Sequence, residues 1–251
     1  MSLVDNLAKR LSKTATLIQK EQIADHTYHL KIQGDDLKNL DYKPGEHVRI
    51  LVGVDKVTSM QHKVRTYSVW QYEHTNGVMD LAVCTHSTGI GSLWARESAI
   101  GDSIYLVGPR GRFTVDDSGD YYVFVGDPSA LAHLYEINRN LTGHKQVLSL
   151  IYADREEDLF PDLDGSRPFQ FNVLPRNSGE TIIEQLHFLL KKATGKGMLY
   201  VGGDSRICVT LNRHFRYSLD WSSRQIKTKP FWAPGKIGLV YLKSLHTCTQ
   251  N

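Results

Sequence analysis

Hydrophobic and polar residues alternate in short runs through the first half of the chain. This period of two predicts β-strands with one buried face. Asn76-Gly77 separates two such runs and predicts a hairpin. Many short strands at regular spacing predict a small antiparallel β-barrel, with strands expected at residues 15–23, 27–32, 47–52, 64–70, 78–85 and 102–108.

The pattern changes in the second half, where continuous apolar runs alternate with helical stretches. Such runs predict parallel strands covered by helices on both faces, as in α/β domains. A Pro-, Gly- and Asp-rich segment at residues 109–120 separates the two patterns, so we predict domains at 1–118 and 119–251. The strands are expected at 121–126, 146–152, 169–174 and 198–203, and the helices at 128–141, 178–194 and 205–219.

Composition narrows the class of protein. Of the 251 residues, 41% are hydrophobic and 23% are charged, which is the balance of a globular domain. No apolar run approaches the roughly 20 residues that a membrane helix needs, so no membrane span is predicted. Residues 1–20 contain no signal-peptide core and are expected to include a short amphipathic helix. We therefore expect a cytoplasmic protein.

The cysteines and the net charge limit the chemistry. Cys84, Cys208 and Cys248 are far apart and form no C-x-x-C motif. A zinc site or an iron–sulfur cluster is therefore not expected, no metal is predicted, and a redox cofactor would be organic. The net charge of +3 does not indicate nucleic-acid binding, whereas it suits a small anionic partner.

The stretch 65-RTYSVW-70 combines unusual neighbours for one strand. Alternation places Arg65 and Tyr67 on one face and Thr66 and Ser68 on the other. An arginine can bind a diphosphate through two hydrogen bonds, and a tyrosine can lie flat against a conjugated ring. The combination indicates a flat, anionic cofactor. The alternative is an ordinary barrel strand with one exposed arginine.

The segment 86-HSTGIGSLWA-95 follows a strand and opens a short helix. Gly89 and Gly91 allow the backbone to approach a ligand closely, and Ser92 can cap the helix or meet a phosphate. Free N–H groups at a helix start favour anions, so the segment is typical of a diphosphate cradle. The alternative is a glycine-rich loop with Trp94 packed in the core.

These segments, in this order, resemble segments of a known protein family. R-T-Y-S, then H-S-T-G-I-G-S-L-W-A, then 101-GDSIYLVGPRGRF-113 resemble the siderophore-interacting protein family. Its members are FAD-dependent ferric-siderophore reductases related to ferredoxin–NADP reductases. Residues 126–134, 201–215 and 231–238 resemble later segments of the same family. The resemblance implies an FAD-binding barrel followed by an α/β domain that binds NADH or NADPH.

The resemblance also implies roles for individual residues. Arg65 would contact the diphosphate, while Tyr67 and Ser68 would be catalytic, with Tyr67 against the flavin and Ser68 near its N5 atom. His86 could move a proton or be structural, and Trp232 could cover the flavin or belong to the core. The implied cofactor-binding residues are Arg65, Thr66, Tyr67, Ser68, Val83, Thr85, His86, Gly89, Ile90, Gly91, Ser92, Trp94, Asp127 and Trp232.

In the second domain, Asp127 is a plausible helix N-cap and Pro128 a first helical residue. Nicotinamide dinucleotide is expected near residues 126–130 and 202–206, where Arg206 could meet a phosphate. Three positions depart from the family pattern: Trp70 and Ala233 stand where arginines are common, and Pro128 replaces a glutamate. The last departure leaves the nicotinamide contact open, and a small ferredoxin is an alternative electron donor.

The implied substrate, a ferric siderophore, is anionic, so its site should be basic. We predict substrate contacts from Lys56, Lys63, Arg110 and Lys236, with Arg112, Lys227 and Lys229 as further candidates, although most such residues are ordinary surface charges. Two other interpretations remain open. One is a flavin reductase whose acceptor is a protein or a quinone, and the other is a non-catalytic module that binds FAD or a siderophore.

Overall fold

The computed structural model describes residues 9–52, 63–175 and 178–236. The N-terminal part is a closed, antiparallel six-stranded barrel with the strand order β1-β2-β5-β4-β3-β6. A short α-helix, α1 (Ile90–Glu97), follows β5. The strands are β1 (Lys13–Ala24), β2 (Thr27–Gln33), β3 (His47–Leu51), β4 (Val64–Glu73), β5 (Val78–Cys84) and β6 (Ser103–Arg110).

The barrel follows the predicted alternation of apolar and polar residues. Leu30 and Ile32 on β2 and Leu81 and Val83 on β5 point into one buried cluster. The predicted hairpin joins β4 to β5, where Gly77 has a φ of 61° that a glycine adopts without strain. The barrel prediction is therefore confirmed in class and in its main strands.

The C-terminal part is a parallel five-stranded sheet with the order β11-β10-β7-β8-β9. Its strands are β7 (Tyr121–Gly126), β8 (Gln146–Ala153), β9 (Phe171–Val173), β10 (Gly197–Asp204) and β11 (Ile226–Trp232). Its helices are α2 (Pro128–Arg139), α3 (Gly179–Leu190) and α4 (Ser205–Tyr217). The edge strand β11 was not predicted, because its sequence IKTKPFW carries lysines at two of its first four positions.

Helices cover both faces of this sheet. Every residue of β7 is buried. Tyr122 and Phe124 face the cluster that includes Leu134 of α2, while Val123 and Val125 face the cluster that contains α3 and α4. The run YYVFVG therefore reads as continuously apolar because both of its faces are covered.

The two parts share an interface between α2 and strand β4. Trp70 on β4 is buried in the cluster of the parallel-sheet domain, and its Nε1 donates to Asp162 Oδ1 at 2.8 Å. Arg139 of α2 bonds to both the Trp70 carbonyl and Asp162, and it also pairs with Glu136 at 2.8 Å. The tryptophan that departs from the family pattern is thus an anchor between the domains.

No helix among the residues that the structure describes is both long and apolar enough to span a membrane. The predicted amphipathic helix near the N-terminus lies mainly in residues 1–8, outside the described residues.

Candidate functional site

The two faces of β4 serve different domains. Tyr67 packs against the barrel cluster and stacks on Trp94 of α1, with ring centroids 5.4 Å apart and an interplanar angle of 29°. Ser68 is buried on the opposite face, against α2. The alternation predicted for Arg65–Ser68 is therefore present, and Thr66 is exposed.

Tyr67 and Gly91 define a tight cradle at the start of α1. A β-carbon at Gly91 would lie 2.6 Å from the Tyr67 hydroxyl and 3.2 Å from Cγ of Arg65. Only glycine fits this approach without a shift of its neighbours. The Tyr67 hydroxyl is buried and has no hydrogen-bond partner in the described part of the chain. A buried donor without a partner is unusual, and a bound ligand would satisfy it.

The cradle has the electrostatics of an anion site. The cationic Arg65 lies beside the first turn of α1, whose N-cap Gly89 makes no side-chain capping bond. The helix start therefore leaves N–H groups for an anion. Ser92 Oγ lies 2.9 Å from Ser87 Oγ, which orients both hydroxyls along the loop. These features fit a diphosphate next to a flat ring at Tyr67, as in FAD.

Arg96 was missed by the sequence analysis. Its Nη1 donates to the Thr85 carbonyl at 2.7 Å and its Nη2 to the Ser87 carbonyl at 3.4 Å. The last turn of α1 thus holds the loop that leads into the first turn. Sequence spacing gives no signal for this contact, because an arginine near a helix C-terminus is ordinary.

The other predicted cofactor residues of the barrel lie at the end of β5. Val83 and Thr85 are buried, and the Thr85 N–H donates to the His26 carbonyl at 2.7 Å. His86 is exposed, and its ring meets that of Trp232 edge-on at 6.2 Å. Ile90 is half-buried at the start of α1.

Trp232 connects this end of the barrel to the parallel sheet. Its Nε1 donates to Asp127 Oδ2 at 2.8 Å. His86, Trp232 and Asp127 come from three distant segments, and the fold places them in one continuous contact. The site residues of the two domains therefore meet at the carboxyl ends of the parallel strands, where α/β sheets bind ligands.

Asp127 holds the strand ends together. Its Oδ1 accepts from the Ser129 N–H at 2.9 Å as the predicted N-cap of α2, and its Oδ2 accepts from the Asp204 N–H at 2.7 Å. Burial raises the pKa of this carboxyl above its ordinary value, and the donors oppose that rise. Pro128 occupies the first helical turn, as predicted. Arg206 forms an ion pair with Asp204 at 2.6 Å and is exposed.

His133 is the most informative residue that the sequence analysis missed. It is fully buried on α2, with Nδ1 3.0 Å from Ser68 Oγ and Nε2 2.9 Å from the Phe113 carbonyl. Burial, together with the charge of Lys229, holds the pKa of His133 well below its ordinary value, so the ring is neutral. Because a carbonyl only accepts, Nε2 carries the hydrogen and Nδ1 accepts from the Ser68 hydroxyl.

The predicted substrate residues lie at separate positions. Lys63 is buried just before β4, Arg110 is exposed at the end of β6, and Lys236 is exposed after β11. Lys56 lies outside the described residues. Their part in substrate binding stays a prediction. Within the described ranges, no cluster of histidine, cysteine and acidic side chains could hold a metal ion.

Comparison with known proteins matches both domains. A family model described as an oxidoreductase FAD-binding domain matches residues 14–115, and one described as siderophore-interacting protein matches residues 119–235. The ferric vibriobactin reductase ViuB of Vibrio cholerae is 22% identical over 252 residues, which cover 91% of this chain and 92% of the relative. The NADPH-dependent ferric-chelate reductase of Escherichia coli is 23% identical over 152 residues, which cover 59% of this chain and 58% of the relative.

Solved structures share the fold. A siderophore utilization protein from T. fusca superposes with a TM-score of 0.76 at 18% identity, covering 91% of this chain and 95% of that one. This likeness extends over both the barrel and the parallel-sheet domain.

Proposed function

We propose, since this chain belongs to the siderophore-interacting protein family and carries an oxidoreductase FAD-binding domain, that it is an FAD-dependent ferric-siderophore reductase. Electrons would come from NADH or NADPH and pass through the flavin to ferric iron in the siderophore. The observation that carries this proposal is the cradle of Arg65, Tyr67 and Gly91, with its buried, unpartnered hydroxyl.

In this proposal the barrel holds the cofactor. Arg65 and the first turn of α1 bind the diphosphate, and Gly89, Gly91 and Ser92 let the phosphates approach the backbone. Tyr67 and Trp94 form an aromatic wall that excludes water from one side of the ring. Bound FAD would supply the conversion between two-electron and one-electron transfer.

Ser68 lies on the face of β4 opposite Tyr67, so it would meet the flavin only at the edge of the ring, where His133 orients its hydroxyl. The Ser68 hydrogen is held on His133, so its oxygen lone pairs remain available to accept a hydrogen bond. A hydroxyl in this state favours a protonated nitrogen as its neighbour over an unprotonated one. The pair therefore suits the reduced form of a ring nitrogen better than the oxidised form.

The proposed electron acceptor, ferric iron in a siderophore, is supported by the names of the relatives and by coordination chemistry. Two of the relatives are named as reductases, one of ferric vibriobactin and one of ferric chelates. Siderophores hold ferric iron through hard oxygen ligands, and reduction to ferrous iron weakens that hold. Lys63, Arg110 and Lys236 remain our candidates for contacts with the anionic chelate. The cytoplasmic location belongs to this proposal as well.

The test is anaerobic visible spectroscopy of the protein loaded with FAD. We expect the flavin absorbance to bleach with NADH or NADPH and to return when a ferric siderophore is added. Bleaching with no return would favour a protein or quinone acceptor. If the bound flavin is bleached only by reduced ferredoxin, the electron donor is ferredoxin and not NADH or NADPH. If no reductant bleaches it, the result would favour a non-catalytic module that binds FAD. A protein that cannot be loaded with FAD would overturn the proposal.

A further inference from the structure

A basic cleft of about 680 Å³ lies between the barrel and the edge strand β11. Its walls carry five cationic side chains and, among the described lining residues, one carboxylate. The volume is that of an ordinary small-molecule site. The charged residues that line it are Arg112, Lys196, Arg224, Lys227, Lys229 and Asp116.

Lys229 forms the floor of the cleft and is only 6% exposed. Its Nζ lies 3.1 Å from His47 Nδ1. Burial, with the charges of Lys229, Arg49 and Arg110, lowers the pKa of His47 to about 3, so at neutral pH this ring is an uncharged acceptor. Lys229 therefore has a hydrogen bond but gains no counter-charge from it.

An uncompensated cation at this depth is unfavourable. Burial lowers the pKa of Lys229 to about 8, which still leaves its ammonium group largely charged at neutral pH. Proteins normally pair such a charge with a carboxylate. No described carboxylate forms an ion pair with Lys229, and a bound anion would supply the missing charge.

The other cationic side chains surround Lys229, and few of the described carboxylates lie near enough to neutralise their charges. Lys227 pairs with Asp116 at 3.0 Å, and Lys196 donates to the Ser118 hydroxyl at 3.0 Å. In the described part of the chain, neither Arg112 nor Arg224 has a carboxylate within ion-pair distance, and both are exposed. Two guanidinium groups near a buried ammonium suit carboxylate, phosphate or phenolate oxygens.

The cleft is separate from the flavin cradle. It borders Ile226–Lys229, the first four residues of β11, together with the segment that precedes β7, whereas Trp232 and Asp127 lie at the carboxyl ends of the strands. None of Arg65, Tyr67 and Gly91 lines it. Since β4 and β3 are neighbours, His47 at the floor is paired with Ser68 in the strand register.

We propose that this cleft binds a small, multiply charged oxyanion, which contacts the ammonium group of Lys229 and is bound by the guanidinium groups of Arg112 and Arg224. Two sources share this chemistry: a metal chelate of catecholate or carboxylate groups, and a phosphate ester. Anion binding in this cleft does not require that the protein reduces iron, so the inference is independent of the proposed function.

The test is isothermal titration calorimetry with two probes, pyrophosphate and gallium(III) tris-catecholate, which carries the ferric charge without being reduced. We expect at least one probe to bind with a 1:1 ratio. The affinity should fall on the order of tenfold or more in Lys229→Met, and similarly in the double variant Arg112→Gln/Arg224→Gln. Binding of the gallium complex alone would identify the source as a chelate, and binding of pyrophosphate alone would identify a phosphate ester.

Two controls separate this site from others. Lys191→Met removes an exposed lysine from the end of α3 and should leave the affinity unchanged. Saturation with FAD is the second control: a probe that binds the protein without FAD but not the FAD-loaded protein lies in the flavin cradle and not in this cleft.

The double variant changes only exposed arginines, so it tests the site even if Lys229→Met fails to fold. The proposal is overturned if neither probe binds, or if the double variant binds as tightly as the wild type. Affinity should also decline above pH 8 as Lys229 loses its proton.

Discussion

Ser68 on strand β4 donates its hydroxyl hydrogen to Nδ1 of His133 on helix α2, across 3.0 Å. This bond joins the barrel to the parallel-sheet domain at a fully buried position. The direction of this hydrogen bond is set by the Phe113 carbonyl, which accepts a hydrogen bond from the Nε2–H of His133 and so leaves Nδ1 as an acceptor. The residue predicted to act beside the flavin is therefore oriented by the neighbouring domain.

Ser68→Ala should lower the free energy of unfolding by roughly 1–3 kcal/mol, because it leaves Nδ1 of His133 buried without a donor. Urea unfolding monitored by circular dichroism measures the change. Thr66→Ala is the matched control at an exposed position of the same strand and should stay within about 0.5 kcal/mol of the wild type. Equal effects of the two substitutions would show that the interdomain bond contributes nothing.

Gly91→Ala should weaken FAD binding by about tenfold or more, equivalent to about 1.4 kcal/mol. The new methyl group would lie 2.6 Å from the Tyr67 hydroxyl and displace the ring that faces the cofactor. Fluorescence titration with FAD gives the dissociation constant.

Gly179→Ala is the control for this glycine, since a β-carbon there meets its neighbours at ordinary distances of 3.5 Å or more. Unchanged FAD affinity in Gly91→Ala would mean that the cofactor does not use the start of α1.

Asp127→Asn should destabilise the fold by roughly 2–3 kcal/mol. The carboxylate accepts from Ser129, Asp204 and Trp232, and an amide can supply only one acceptor oxygen. The loss should also loosen the Trp232 ring against His86, which a red shift of tryptophan fluorescence would report. Trp232→Phe is the comparison, because it removes the Nε1 donor and part of the ring but keeps the bonds from Ser129 and Asp204 to the carboxylate; a milder loss of stability is expected.

Acid should destabilise the protein through two of its buried histidines, His47 and His133. Burial and nearby cations lower the pKa of His47 to about 3 and hold that of His133 well below its ordinary value. Below pH 6.5 the unfolded chain therefore binds protons that the folded chain does not, so stability falls as the pH falls. The slope is about 1.4 kcal/mol per pH unit for each histidine, continuing to about pH 3 for His47.

Urea unfolding between pH 4 and pH 7 measures this slope. His47→Gln and His133→Gln should each reduce the slope of stability against pH by the contribution of one histidine, about 1.4 kcal/mol per pH unit. His144→Gln is the matched control, the same substitution at an exposed loop position. A wild-type slope that neither buried substitution alters would contradict this origin of the acid sensitivity.

Local periodicity predicted the fold because each element buries its own face. The alternation in β2 and the continuous apolar run of β7 are signals carried by neighbouring residues, and the structure confirms the barrel and the parallel sheet that they predicted. The comparisons likewise confirm the resemblance to siderophore-interacting proteins that the ordered motifs indicated. The edge strand β11 was missed because one of its sides has no partner strand and its lysines interrupt the apolar pattern.

The sequence by itself determined the two domains, the segments of the cradle and the N-cap at Asp127, since these depend on short-range spacing. Only the tertiary structure decided which distant residues meet: His133 with Ser68, Trp232 with both Asp127 and His86, and Lys229 with His47. Each of these pairs joins segments at least 65 residues apart. Hydrogen bonds across an interface depend on how the domains pack, and that packing leaves no periodic trace along the chain.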